Sequence, residues 1–589
     1  MTHTEKLVAI RSLMEQNHID AYIIPSSDPH IGEYLPDRYK CIAWASGFTG
    51  SAGTLVITPK FAGLWTDSRY FVQAREQLAE SGYELVKLKV QHAEEYADWL
   101  AANLPAEATV AFDGWLMPAA SAAAVRKPLL AAGVDVLENV DLLTPLWRDR
   151  PPLPENPAYL LDEAFTGEST SAKLVRLRAN LRKHHADAHV ISSLDDVAWL
   201  LNMRGSDVVC NPVVLAFVLV TEEVTTLFIN QAKLSQQDRL SLRKWGVETA
   251  DYAQVGARLA ELSGKTFLLD PRRTCGHIYN MLLPDVQEDI NPTTHFKAVK
   301  NDVEILHIRD TMVKDGVALT RFFKWLEETV GKETISELSL ADRLRQFRSE
   351  QDGFVGESFD TIAGYRAHGA LPHYKATASS NTELRPEGLL LIDSGGQYRT
   401  GTTDITRVVS LGNVTGEERV DYTLVLKGMI EGSSVVFPQG TKGYQIDAIT
   451  RKPLWDELRN YGHGTGHGVG FFLNVHEGPH TLNGAAVDVP IERGMVTSIE
   501  PGLYREGAYG IRIENLVLSV DHADTLFGSF MAFETLTLCY IDTQLVDRSL
   551  LESKHIVWLN NYHAMVYDRL APHLDEQERQ WLAKRTVAI

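Results

Sequence analysis

Residues 461–472 read YGHGTGHGVGFF. Glycine occupies 462, 464, 466, 468 and 470, with His463 and His467 set between them. A backbone without Cβ atoms approaches a ligand or a neighbouring strand closely and leaves such imidazoles little shielded. A phosphate cradle does not fit the spacing, because no GxGxxG is present and no lysine follows as a P-loop requires. Four acidic residues in the same part of the chain have equally deliberate settings. Asp393 follows GLLLI and precedes SGG, Asp404 lies in GTTDITR, Glu500 in SIEPGLY and Glu514 in GIRIENLVL. Two strands with a glycine-containing connection would bring Asp393 and Asp404 to one end of a hairpin. Pro501 holds Glu500 in an extended conformation. Arg512 and Glu514 share one face of an alternating strand, for which a surface ion pair is the plain alternative.

Taken singly, an aspartate at a strand end is a turn residue or a cap. Taken together, four buried carboxylates would repel and protonate unless cations neutralised them. Four carboxylates and one imidazole offer too many oxygen donors for one structural zinc. They suit two divalent cations, with manganese ahead of zinc or cobalt because the donors are mostly hard oxygens. The chain is therefore expected to be a metal-dependent hydrolase with Asp393, Asp404, His467, Glu500 and Glu514 as ligands. A second metal motif is a decoy. His476 to His480 spells HExxH, but Gly478 and Pro479 break the helix that a zincin needs.

The chain has 589 residues, 44% of them apolar and 23% charged. That length calls for several domains and that composition for an ordinary globular protein. The net charge of −20 argues against a nucleic-acid partner. Cys41, Cys210, Cys275 and Cys539 are far apart and read as reduced thiols. The amphipathic N-terminus lacks the apolar stretch of a signal peptide. The most apolar run, VVLAFVLV at 213–220, is too short to span a bilayer and reads as a buried strand. A cytoplasmic location without membrane association is the default expectation.

An ungapped repeat organises the first half. KLVAIRSLMEQNHIDAYIIPSSD from Lys6 aligns with KLVRLRANLRKHHADAHVISSLD from Lys173, matching His18 to His185 and Asp20 to Asp187. Each copy reads as an amphipathic helix followed by a strand. The proline-rich segment PLWRDRPPLPENP, 145–157, is a linker. A further boundary is expected near 291–302, before the long helix pattern VEILHIRDTMVKDGVALTRFFKWLEETV. The tail is expected to form two helices broken at Pro572, with Val557, Leu559, Val566 and Leu570 as the buried stripe. The expected division is 1–155, 156–300, 301–545 and a C-terminal extension, 546–589.

The chain resembles the M24 pita-bread metallopeptidases, and among them the long, three-domain Xaa-Pro aminopeptidases. The agreement spans nearly the whole chain: SGFTGSAGTLVI, WTDSRYF, GTTDITR, HGTGHGVGFFLNVHEGP, EPGLY, GIRIEN and WLNNYH. The resemblance implies an α/β (α+β) architecture. Two related creatinase-N-terminal-like domains would precede a pita-bread catalytic domain built on a curved antiparallel sheet, with a helical extension after it. It implies that Asp393 binds one metal, that His467 and Glu500 bind the other, and that Asp404 and Glu514 bridge them. His373 in GALPHY and His476 in NVHEGP would hold substrate and stabilise charge on the scissile carbonyl. Arg69 in WTDSRYF would contact substrate, supplied across a homodimer; taken alone it reads as a surface pair with Asp67.

The implied substrate is a peptide with proline in second position. A water activated between the cations would attack the bond before proline, with Glu500 carrying the proton. Tyr504 and Phe471 are candidates to line the proline pocket. An Xaa-Pro dipeptidase shares every ligand and remains open, as does a peptide-binding scaffold that has lost catalysis. Methionine aminopeptidase lacks two such N-terminal domains, and creatinase lacks the complete metal set.

Overall fold

The structure, a computed structural model, describes residues 1–90 and 93–589. They form two compact units, Met1–Glu163 with Glu168–Thr294, and Ala164–Gly167 with His295–Ile589.

The first unit contains the repeat as two α/β sheets of one design. Helices α1 (His3–Gln16) and α2 (Thr170–Lys183) open the copies, capped by the Thr2 and Ser169 hydroxyls. Each helix is followed by a histidine at positive φ, His18 at 56° and His185 at 53°. The next aspartate then ties the turn to a distant strand. Oδ2 of Asp20 accepts from the Thr109 amide at 2.8 Å, and Oδ2 of Asp187 accepts from the Thr266 amide at 2.9 Å. The first sheet comprises β1 (Ala21–Pro25), β2 (Thr54–Ile57), β3 (Ala62–Thr66), β4 (Glu84–Lys87), β5 (Thr109–Phe112) and β6 (Asp135–Leu137), in the order β4-β3-β2-β1-β5-β6. The second comprises β7 (Ala188–Ile191), β8 (Ala216–Thr221), β9 (Thr225–Ile229), β10 (Val247–Ala250), β11 (Phe267–Leu269) and β12 (Val286–Glu288), in the equivalent order β10-β9-β8-β7-β11-β12. The run 213–220 supplies β8, and residues 145–157 carry neither helix nor strand.

The second unit opens with α3 (Asp302–Thr329), whose N-terminal amides at Val303 and Glu304 are capped by the Asn301 side chain, and α4 (Glu337–Ser349). Strands β13 (Ile362–Tyr365), β14 (Leu389–Ser394) and β15 (Ile405–Ser410) form an antiparallel sheet in that order. Helix α5 (Gly416–Ser434), the short strand β16 (Phe437–Pro438) and helix α6 (Gly443–Trp455) follow. Then come β17 (Gly466–Gly468), β18 (Glu477–Leu482), β19 (Val496–Ile499), β20 (Gly502–Arg505), β21 (Tyr509–Arg512), β22 (Asn515–Thr525) and β23 (Gly528–Thr535). Six of these form a sheet ordered β16-β23-β22-β19-β17-β18, while β20 pairs with β21. The HExxH segment enters strand β18, as its glycine and proline require.

Helices α7 (Ser553–Leu570) and α8 (Glu576–Arg585) close the chain. Leu559, Val566 and Leu570 share one core with Leu390, Val408, Ile499 and Val517. Val557 departs from the expected stripe and is 57% exposed. It lies two residues before Leu559, which puts it on another side of a helix with 3.6 residues per turn. Among the described residues no helix is long and apolar enough to cross a membrane.

Candidate metal centre

The antiparallel strands of the second unit bring five separated side chains together. Asp393 sits on β14 opposite Thr406 of β15, and Asp404 immediately precedes β15. His467 is the middle residue of β17. Glu500 follows β19, and Glu514 lies between β21 and β22. The His467 Nε2 atom is 3.5 Å from Asp404 Oδ2 and 3.4 Å from Glu500 Oε1. Ligand atoms of Asp404, His467 and Glu514 all lie within 4.8 Å of one another. Asp393 joins them through Arg512, whose Nη2 donates to Asp393 Oδ2 at 2.6 Å while its Nε lies 3.9 Å from Glu500 Oε2.

Close backbone packing explains the alternating glycines. A Cβ on Gly466 would stand 1.8 Å from the Ser498 carbonyl oxygen, and one on Gly468 would stand 2.3 Å from that of Glu477. With those positions bare, β17 nests between β18 and β19. The Ser498 hydroxyl then accepts from the His467 amide at 3.0 Å, and the Thr465 carbonyl accepts from the Glu500 amide at 2.7 Å. The His467 Nδ1 atom is 2.9 Å from the Gly468 carbonyl oxygen. A carbonyl only accepts, so Nδ1 carries a proton and Nε2 is the atom turned toward the site, able to give its lone pair to a cation once its own proton leaves.

The charge arrangement is incomplete without cations. Asp393 Oδ1 and Glu514 Oε1 are buried with no hydrogen-bond partner. Burial pushes the carboxyls of Asp393, Glu500 and Glu514 up, their neighbouring carboxylates push the same way, and Arg512 pulls partly against both. Burial works against protonation of His467, yet Asp404 and Glu500 hold that imidazole up at about 9. Orphaned carboxylate oxygens cost free energy that divalent cations would recover. The donor set, four carboxylates with one imidazole, fits two hard-to-borderline cations.

The other expected site residues divide. The His476 ring centroid lies 4.3 Å from that of His467 in a T-shaped arrangement. His373 follows Pro372, whose carbonyl accepts from Arg512 Nη2 at 3.2 Å. Glu337 anchors that loop. One of its oxygens accepts from the Tyr365 amide at 3.0 Å and pairs with His368 Nδ1 at 2.8 Å. The other accepts from the Tyr374 hydroxyl at 2.8 Å and the Thr382 amide at 3.0 Å. Arg69 belongs to the first unit. Its pair with Asp67 is bidentate, at 2.8 and 2.7 Å, and buried where the sequence alone suggested a surface pair.

Sequence reasoning undervalued Arg512. It is 2% exposed, and its guanidinium serves Asp393, the Thr406 hydroxyl at 3.1 Å and the Tyr504 hydroxyl at 2.6 Å. The surface pair with Glu514 therefore does not form; Glu514 Oε2 accepts from the Thr406 hydroxyl at 2.9 Å. The signal was the shared strand face, which points inward here. Tyr504 also meets His463 Nε2 at 2.8 Å, so its hydroxyl is committed to polar contacts. Phe471 lies in the hydrophobic core at 2% exposure.

Glu431, Glu552 and His555 form a second group of ligand-type side chains. Here the His555 Nδ1 accepts from the Glu552 amide at 3.0 Å, so Nε2 carries the proton that it donates to Glu431 at 2.8 Å. Lys554 pairs with the same glutamate. That group is a hydrogen-bonded cluster whose imidazole has no lone pair left for a cation.

Residues 307–521 match the profile of metallopeptidase family M24. Residues 6–150 and 149–304 each match a creatinase/prolidase N-terminal domain, and 529–589 match the C-terminal region of peptidase M24. A probable Xaa-Pro aminopeptidase P of Laccaria bicolor is 40% identical over 601 residues, covering 99% of this chain and 93% of its own. Xaa-Pro aminopeptidase 2 of Sus scrofa is 37% identical over 604 residues, covering 100% of this chain and 89% of its own. The crystal structure of an X-prolyl aminopeptidase from Caenorhabditis elegans, described as a cytosolic enzyme with a di-nuclear active site, superposes with a TM-score of 0.97 at 36% identity and covers both chains completely.

Proposed function

The chain belongs to metallopeptidase family M24, and from that premise we propose that it is a metal-dependent aminopeptidase that removes the N-terminal residue from peptides with proline in second position. The observation that carries this reading is the convergence of Asp393, Asp404, His467, Glu500 and Glu514 within a chain similar over its full length to Xaa-Pro aminopeptidases.

Asp393 would hold one cation, His467 and Glu500 the other, and Asp404 and Glu514 both. Two divalent cations, when bound, lower the pKa of a water and polarise the scissile carbonyl. Glu500, whose Oε1 accepts from the Ser498 hydroxyl at 3.4 Å, would carry a proton from the attacking water to the proline nitrogen. His476, beside His467, and His373, on the loop anchored by Glu337, hold the substrate and stabilise the charge that develops on the carbonyl oxygen. Proline brings no amide N–H and a fixed φ, so recognition rests on ring shape and on the residue before it. Arg512 orients Asp393 and offsets part of the burial that raises its carboxyl.

Manganese is proposed as the cation on donor chemistry. A homodimer with Arg69 as a substrate contact is proposed from the family pattern, and a cytoplasmic location from the description of the nematode enzyme. The division at residues 155, 300 and 545 is retained as the proposed domain plan.

Hydrolysis of Arg-Pro-Pro against Ala-Pro, with manganese present, tests the reading. Faster release of arginine from the tripeptide is expected. Preference for the dipeptide would make the enzyme a prolidase. No cleavage of either by metal-loaded protein would leave a non-catalytic scaffold.

A further inference from the structure

Arg407, in the GTTDITR motif, is a buried cation with no acidic partner. It is 2% exposed and makes no ion pair among the described residues. Its donors meet neutral oxygens instead. Nε donates to the Tyr540 carbonyl at 3.0 Å, and Nη2 reaches the Asn515 side-chain oxygen at 2.8 Å, the Cys539 carbonyl at 3.0 Å and the Tyr562 hydroxyl at 2.9 Å. Nη1 donates to the Thr406 carbonyl at 3.0 Å and to the Glu514 carbonyl.

Burying a guanidinium without a counter-ion is expensive unless every donor is placed. This one is placed on both flanks of a candidate metal ligand. It holds the backbone of Glu514 directly. It also holds the backbone of Thr406, whose carbonyl accepts from the Glu514 amide at 3.1 Å and whose hydroxyl donates to the Glu514 carboxylate. Asn515 is the residue after Glu514. Arg407 thus meets the ligand directly at its carbonyl, and Thr406, whose carbonyl Arg407 also holds, meets it at its amide and its carboxylate.

The guanidinium is in turn fixed by the C-terminal extension. Tyr562 lies on α7, is 3% exposed, and stacks on Trp558 with ring centroids 5.1 Å apart. Its hydroxyl hydrogen is directed to the Thr537 or Cys539 carbonyl, at 3.0 and 2.8 Å, which leaves a lone pair for Arg407.

We infer that the C-terminal extension sets the affinity of the metal centre: Tyr562 positions Arg407, and Arg407 positions Glu514. Both are positioning residues, and neither touches substrate. The inference rests on Glu514 being a metal ligand. Outer partners of metal ligands typically change affinity by about 10- to 100-fold when altered. A lysine keeps the charge of Arg407 and loses its fork, so it cannot span two carbonyls and a phenol.

The test is a calorimetric titration of metal-free full-length protein with manganese chloride, for wild type, Tyr562→Phe, Arg407→Lys and Glu514→Gln. Thermal melts of the metal-free forms report folding. Tyr562→Phe should bind one of the two cations about 10-fold more weakly. Its melting temperature should stay close to wild type, its KM for Arg-Pro-Pro unchanged, and its kcat should return when manganese is raised. Arg407→Lys should show the larger loss; if it does not fold, Tyr562→Phe carries the test. Wild-type affinity for both cations in Tyr562→Phe would overturn the inference, whatever its melting temperature. Unchanged binding by Glu514→Gln would instead overturn the ligand assignment beneath it.

Discussion

Two buried carboxylate sites in the second unit invite comparison. Glu337 is fully buried, and each of its oxygens is met by two partners, among them two backbone amides and a tyrosine hydroxyl. The cluster of Asp393, Asp404, Glu500 and Glu514 has oxygens that nothing meets, Asp393 Oδ1 and Glu514 Oε1, and its carboxylates crowd one another. Glu337 organises a loop and asks for nothing from solution. The cluster is organised by its surroundings, through Arg512, Thr406, Ser498 and Arg407, so that its acids crowd one another. Buried acids that are satisfied hold structure; buried acids that are held in place yet unsatisfied await cations.

The largest effect should separate the two sites outright. Glu514→Gln should lose several kcal/mol of transition-state stabilisation, a drop of roughly a thousandfold or more in kcat/KM for Arg-Pro-Pro. Its metal-free form should melt no lower than wild type, because burial already holds that carboxyl neutral and glutamine keeps an oxygen to accept from the Thr406 hydroxyl. A clearly destabilised metal-free variant would erase the contrast with Glu337.

The converse substitution should be milder and of another kind. Glu337→Gln turns an amide group toward donors that need acceptors. It should cost about 1–3 kcal/mol in urea unfolding and still bind two cations. Loss of a cation in this variant would mean that Glu337 belongs to the metal site.

The smallest effect concerns pH. Asp393, Glu500 and Glu514 have raised affinities for protons in the metal-free fold. Folded, they keep protons that the unfolded chain releases above about pH 4. Their contribution to stability is full at low pH and is lost as pH rises through the raised values. Cations remove this loss by taking the place of the protons. The gap in melting temperature between manganese-loaded and chelated protein should therefore widen by about a few degrees from pH 5 to pH 7.5. A gap that stays constant or narrows would show that these acids are not strained by burial.

Much of the arrangement was legible in the sequence, for reasons that can be named. The repeat was visible because a helix, a histidine in the left-handed region and a strand impose the same residues on both copies, His18 with His185 and Asp20 with Asp187. The five candidate ligands stood out because glycine alternation and strand-end acids are costly without a purpose. Partners distant in sequence were not legible. Arg512 looked like a surface residue two positions from Glu514, yet its main partner is Asp393, 119 residues earlier. Arg407 reads as part of a motif, but Tyr562, which fixes it, lies 155 residues further on. Val557 was misplaced by its hydrophobicity alone, since at 3.6 residues per turn a residue two before Leu559 faces away from the stripe.

The most direct test of the central claim is a count of bound metal. Wild-type and Asp404→Ala protein would be loaded with manganese, freed of excess, and analysed for metal per chain alongside Arg-Pro-Pro cleavage. Two manganese ions per active wild-type chain, with loss of metal and of cleavage in the variant, is the predicted result. Full activity from a wild-type chain holding one ion or none would contradict it.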